Sequence, residues 1–132
     1  MDSQHRHELI LPLRCIIFTQ LRPILFVEDL AAEVRFYEKL GFKIEFQSPD
    51  FVGLVYGDAI LFGLQHQAGA RYDEDQPVIW QMAVHHIDAV AQLCKQHQFP
   101  VQQEPALQSW GEWTMTVISP NGYRVTFEAE QQ

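Results

Sequence analysis

Apolar and polar positions along this chain fall into one pattern that occurs twice. Arg22–Val27 is a short apolar run and predicts a strand. Pro23 near its start suits a strand beginning or an edge, because proline cannot donate to a ladder. Asp29 then stands where a helix N-cap is wanted. Leu30, Val34, Tyr37 and Leu40 recur at helical spacing, and Gly41 suits the residue that ends the helix. Phe42–Gln47 alternates, and Ser48-Pro49-Asp50 turns the chain. Phe51–Tyr56 and Ala59–Leu64 flank Gly57-Asp58, which predicts a hairpin with a two-residue turn. The first unit therefore reads β-α-β-β-β.

Slid by 57 positions, Val27 meets Val84, Leu30 meets Ile87, Phe42 meets Phe99 and Ile44 meets Val101. The second unit runs Val78–Val84 as a strand, then a helix with Val90, Leu93, Cys94 and His97 on one face. His86 falls opposite Asp29 and begins that helix. A short strand over Val101–Glu104, a loop over Pro105–Ser109, a strand over Gly111–Ile118, a turn at Ser119-Pro120-Asn121-Gly122 and a last strand over Tyr123–Glu128 complete a second β-α-β-β-β. Polar residues 67–76, with Gly69 and the acidic Asp73-Glu74-Asp75, form the linker. A repeat of this length is one supersecondary unit that cannot bury its apolar face alone. The two units must share a core, and a cleft between them is the natural place for a ligand. The expected organisation is an N-terminal extension, 1–20, and a single domain, 21–132, with modules 21–66 and 77–130.

Composition narrows the partners. A formal charge of −8 argues against a nucleic-acid or anionic-membrane surface and favours cationic ligands. The apolar run Leu9–Phe18 is interrupted by Pro12 and Arg14 and is too short to span a bilayer. It lacks a clean cleavage site for a signal peptide. Two cysteines, Cys15 and Cys94, make no disulfide framework, so a reducing, cytoplasmic setting is expected. His85 and His86 are adjacent and would point to opposite faces of a strand, so they do not chelate as a pair. His5 and His7 lie in the extension and are read as incidental. Ser48, Ser109 and Ser119 sit in turns with no partner that would make a nucleophile, and there is no glycine-rich phosphate loop.

The doubled unit carries Val27-x-Asp29-Leu30, Phe36-Tyr37-x-x-Leu40-Gly41-Phe42 and Ser119-Pro120-Asn121-Gly122. In these elements the chain resembles the glyoxalase/bleomycin-resistance (vicinal oxygen chelate) superfamily over residues 22–128, with Ser119 where that family usually has Asp. The fold so implied is α+β, two tandem βαβββ modules forming a curved mixed sheet with a cleft. The chain is most similar to the antibiotic-binding bleomycin-resistance branch. Pro23, the spacing of Phe42, Phe46 and Phe51, and the pair Trp110-Gly111 carry that likeness. It implies a homodimer with clefts at the interface. It also implies a small-molecule ligand lined by Phe46, Phe51 and Trp110, with Gln81 on the floor and Asp50 and Glu112 at the rim. One tryptophan of that branch falls here on Gln81. Trp80, one residue away, faces the other side of its strand and is expected under the helix with Met82 and Val84.

The superfamily's enzymes hold a divalent ion through His, Glu or Gln. Those positions fall here on Arg22, Ile79 and Thr126, and the fourth, near Gly63, offers no donor. Neither arginine nor isoleucine can give a lone pair to a metal. Gln81 and Glu128 each lie two residues from an expected ligand and face the same side of their strands, so a shifted register would pair them. Two oxygen donors without an imidazole make a poor transition-metal site. The resulting expectation is a non-catalytic protein that sequesters an aromatic, cationic small molecule, with no cofactor. The alternatives are a divalent-metal-dependent glyoxalase- or dioxygenase-type enzyme, and a protein-interaction module acting through residues 1–20.

Overall fold

The computed structural model describes residues 16–73 and 76–132. The expectations placed on Cys15, His5, His7 and the start of the extension fall outside these residues. The first module runs β1 (Ile24–Val27), α1 (Leu30–Lys39), β2 (Lys43–Ser48), β3 (Phe51–Tyr56) and β4 (Ile60–His66). The second runs β5 (Ile79–Ala83), α2 (Ile87–Gln96), β6 (Val101–Leu107), β7 (Trp113–Ile118) and β8 (Arg124–Ala129). The strands form two four-stranded mixed sheets, ordered β1-β4-β3-β2 and β5-β8-β7-β6. In each, the first strand runs parallel to the last strand of its module and the other neighbours are antiparallel.

The 57-residue offset reaches into the helix ends. The helices begin at Leu30 and Ile87 and end at Lys39 and Gln96. After the first, Gly41 has φ +102°; after the second, Gln98, 57 residues on, has φ +58°. The closing bonds match as well. Phe42 N–H donates to Tyr37 O and Phe99 N–H to Cys94 O, each at 3.0 Å. The helix starts differ. Asp29 accepts from Ala32 N–H at 3.0 Å, whereas the His86 side chain makes no capping bond. The first amides of α2 donate instead to the chain end: Ile87 N–H to Gln131 O and Asp88 N–H to Gln132 O.

Two local expectations are corrected. The β3–β4 turn is three residues long, because Tyr56 pairs with Ile60. Strand β6 does not stop at Glu104 but runs through Pro105 to Leu107. It is an edge strand with register shifts between Val101 and Ala106, the setting in which a sheet accommodates proline.

The modules share one core. Leu25, Val27, Val52, Leu54 and Leu64 of the first sheet and Met115, Val117, Val125 and Phe127 of the second are buried in a single cluster. Phe62 on β4 stacks with Trp80 on β5, ring centroids 6.3 Å apart, and Phe36 on α1 meets Phe99 at 4.6 Å. Trp80 is thus under the helices with Met82 and Val84, as its side of the strand requires.

The polar join is the Ser119–Gly122 turn against the start of α1. The Asn121 side chain accepts from Glu28 N–H at 3.1 Å and Asp29 N–H at 2.9 Å. It donates to Asp29 O at 2.9 Å and to Glu33 Oε1 at 2.8 Å. Its backbone N–H donates to the same Glu33 oxygen at 3.0 Å. Glu33 is fully buried and its Oε2 has no partner. Burial raises its pKa, and the nearby Asp29 charge acts in the same direction against the bonds from Asn121 and Ser119.

Two predictions follow from these junctions. A non-glycine residue in the left-handed region costs about 1–2 kcal/mol, so Gln98→Gly should raise the urea midpoint while Gly41→Ala lowers it. Equal effects of like sign would contradict the shared geometry. Glu33 has a folded pKa above its unfolded value, so its contribution is full below the ordinary carboxylate range near 4.5 and is lost as pH rises through the folded pKa. Unfolding free energies measured from pH 4 to 8 should show wild type losing ground to Glu33→Gln as pH rises. A pH-independent difference would refute this.

Candidate functional site

In each sheet, alternate residues point away from the shared core. On β3 and β4 the core face carries Val52, Leu54, Phe62 and Leu64, leaving Phe51, Gly53, Val55, Leu61, Gly63 and Gln65 on the other. The register lines up one row across this outer face: Ile24, Gly63, Gly53 and Phe46. Two glycines opposite each other make a trough between flanking apolar side chains. The Phe51 ring lies across it, since a Cβ on Gly63 would come 2.4 Å from Phe51 Cζ. Phe46 stands beside it at 6.2 Å between ring centroids and is 57% exposed. Ile24 and Phe26 extend the same exposed apolar surface.

The second sheet has the matching row, Gln81, Thr126, Thr116 and Gln103. Gln81 is 57 residues after Ile24, and Gln103 is 57 after Phe46. Where the first module is apolar, this one is polar. Thr116 and Thr126 share a hydrogen bond of 2.7 Å between hydroxyls. Gln103 donates to Thr114 Oγ1 at 3.1 Å, and Gln81 donates to Glu128 Oε2 at 2.8 Å. Trp110 sits in the β6–β7 loop, 64% exposed, and its indole N–H donates to Glu112 Oε1 at 3.0 Å. Glu112, Glu128, Glu130 and His85 border one depression of about 300 Å³.

The expected site residues thus fall into two groups. Phe46 and Phe51 meet on the first module; Gln81, Glu128, Glu112 and Trp110 gather on the second. The core faces of the two sheets contribute to one buried cluster, joined by the Phe62–Trp80 stack, and the outer faces lie on the other side of each sheet. Two depressions lie between the modules. One, apolar and of about 540 Å³, has Phe42, Tyr56, Ile60, Met82 and Leu93 among its walls. The other, of about 380 Å³, is lined by Pro23, Leu61, Phe62, Trp80 and the expected site residue Gln81. Gly53 and Gly63 face each other only because the turn is three residues long; the expected two-residue turn would have set Gly53 opposite Phe62 and hidden this close approach.

The donor set does not suit a divalent ion. Arg22 donates to Gln20 Oε1 at 2.8 Å and to Glu45 Oε1 at 3.3 Å, so a guanidinium and its own carboxylate occupy the first expected position. Ile79 has no donor, and Thr126 is bonded to Thr116. Gln81 and Glu128 do come together, but Gln81 turns its N–H to the carboxylate.

Comparison with known proteins places this geometry. The first described strand through the last lies within residues 18–127 apart from two residues, and that span matches the family model for the Glyoxalase/Bleomycin resistance protein/Dioxygenase superfamily. No curated protein sequence matches the chain. Among solved structures, a bleomycin resistance determinant encoded on the transposon Tn5 has a TM-score of 0.71 at 21% identity, covering 85% of this chain and 98% of that one. A bleomycin-binding protein complexed with bleomycin has a TM-score of 0.59 at 22% identity, with the same coverage. Lactoylglutathione lyase from Agrobacterium tumefaciens has a TM-score of 0.67 at 17% identity, covering 85% of this chain and 94% of that one. At these identities the structures speak for the fold, and the family match over most of the chain speaks for descent: the chain belongs to the glyoxalase/bleomycin resistance protein/dioxygenase superfamily.

Proposed function

We propose that this protein binds and sequesters an aromatic, cationic small molecule without transforming it. The observation that carries the reading is the outer-face aromatic pair of exposed Phe46 and half-buried Phe51, whose ring lies across the Gly53–Gly63 trough. Neighbouring rings on an apolar surface suit a planar ligand, which gains area burial and offset stacking. Trp110 offers a third ring, and the carboxylates of Glu112 and Glu128 offer negative charge. The net charge of −8 speeds encounter with a cation. The bleomycin complex formed on the same fold supports the ligand class.

Phe46 and Phe51 border neither the depression that Gln81 lines nor the one that Glu112 lines, so a cleft walled by both groups takes two chains. On this reading the protein works as a homodimer, with the first module of one copy facing the second module of the other. Each copy then supplies half of each cleft: Phe46 and Phe51 from one side, Gln81, Glu112 and Trp110 from the other. The expected setting is the cytoplasm.

The test is a tryptophan-fluorescence titration with metal-free bleomycin in the presence of a chelator, with sedimentation of the same samples. Saturable quenching is expected, lost in Trp110→Ala and weakened about tenfold in Phe51→Ala, the loss of one stacking contact. Binding by a monomer would overturn the shared cleft. Absence of any saturable response, together with catalytic turnover of a metal-loaded sample, would overturn sequestration.

A further inference from the structure

Trp110 is held more firmly than its exposure suggests. Gln108 N–H donates to Glu112 O at 2.8 Å, and Gly111 N–H donates to Gln108 O at 3.0 Å. Gly111 takes φ +97°, where a side chain is strained. Gln108 Nε2 ties the turn to Thr114 Oγ1 at 2.9 Å, on the first residues of β7. This closed turn lifts one indole into solvent, 64% exposed, and the half-buried Glu112 two residues on takes its N–H at 3.0 Å. A free exposed tryptophan would lose rotamer freedom on binding. A ring already fixed loses less.

Indole has one donor and no acceptor. With that donor on Glu112, the ring has no hydrogen bond left to offer a ligand. Its remaining specific interaction is the negative face of its π system, which attracts cations. Glu112 adds its own charge beside the ring, and Glu128 and Glu130 border the same depression. We infer that Glu112 is the positioning residue for Trp110, and that by occupying the indole N–H it confines the ring to face-on recognition of an organic cation. This deepens the sequestering reading and rests on it for the ligand, but not for the ring's position. Glu112 then acts on the ligand in two ways, by holding Trp110 and by placing its charge beside the ring.

Nitrogen-15 NMR of the full-length protein separates the two parts. The Trp110 indole signal is identified by its loss in Trp110→Phe. In wild type its N–H should exchange with water about tenfold more slowly than a free indole, a protection of the size of one hydrogen bond. Glu112→Gln, which keeps an acceptor oxygen, should preserve that protection; Glu112→Ala should abolish it while other signals stay in place. The ligand probes are phenyltrimethylammonium and its neutral isostere tert-butylbenzene. Wild type should favour the cation, Glu112→Gln should lose about three- to fivefold for the cation only, and Glu112→Ala should lose affinity for both. An unprotected indole in wild type, or one unchanged in Glu112→Ala, overturns the positioning role. Equal binding of both probes overturns the cation preference. If neither probe binds while the indole is protected, positioning stands and the sequestering reading falls.

Discussion

Everything in this molecule depends on one asparagine. Asn121 uses both lone pairs of its oxygen and both hydrogens of its amide, all on the residues that lead into and open α1. An amide can make four such bonds, and here none is left over. The bonds cross from the last turn of the second module to the first helix of the other, so they fix the angle between the halves. The aromatic contacts Phe62–Trp80 and Phe36–Phe99 supply area but would tolerate sliding. The linker locks the same corner. Tyr72 N–H donates to Asn121 O at 2.9 Å, and a Cβ on Gly122 would lie 1.8 Å from Tyr72 O, so only glycine lets the strap pass. Arg71 adds a contact to Glu28 at 2.5 Å and another to Pro120 O at 3.1 Å.

That corner also holds a cost. Glu33 has one oxygen bonded twice by Asn121 and one bonded by nothing, in a buried site beside Asp29. A buried carboxylate is disfavoured in its charged form. The join between modules is therefore strong in geometry and sensitive to proton supply. Tyr37 and Tyr123, whose hydroxyls are also pushed up by burial, face the same group.

Much of this fold was legible from periodicity. The Asp29 cap, the Gly41 stop, the 57-residue offset and the β-α-β-β-β order are local signals, and local signals survive in a single sequence. The side of the strand taken by Trp80 followed from alternation, counted from the family tryptophan position that falls on Gln81. What was not legible depended on partners far along the chain. Pro105 reads as a breaker, yet it sits within β6 because that strand is at an edge. His86 lacks a capping bond because Gln131 and Gln132 reach back to do the work. The site was half legible. Likeness to the bleomycin-resistance branch pointed to Phe46 and Phe51, which do meet, and strand parity put Gln81 beside Glu128, to which it is bonded. Nothing local reveals how the two modules pack on their shared core, and that packing decides which of these residues come together.

The row Ile24–Gly63–Gly53–Phe46 and its counterpart Gln81–Thr126–Thr116–Gln103 occupy the same positions in a repeated backbone. Because these rows lie outside the shared core, a mutation in one need not disturb the packing that holds both. A duplicated unit so arranged is free to diverge on one surface while its interior is held fixed. The low identities to proteins of the same architecture, 17–22% at TM-scores of 0.59–0.71, are what such separation would leave behind. Evolvability here is a property of geometry: the residues of the candidate site and the residues that keep the chain folded are drawn from opposite sides of the same strands.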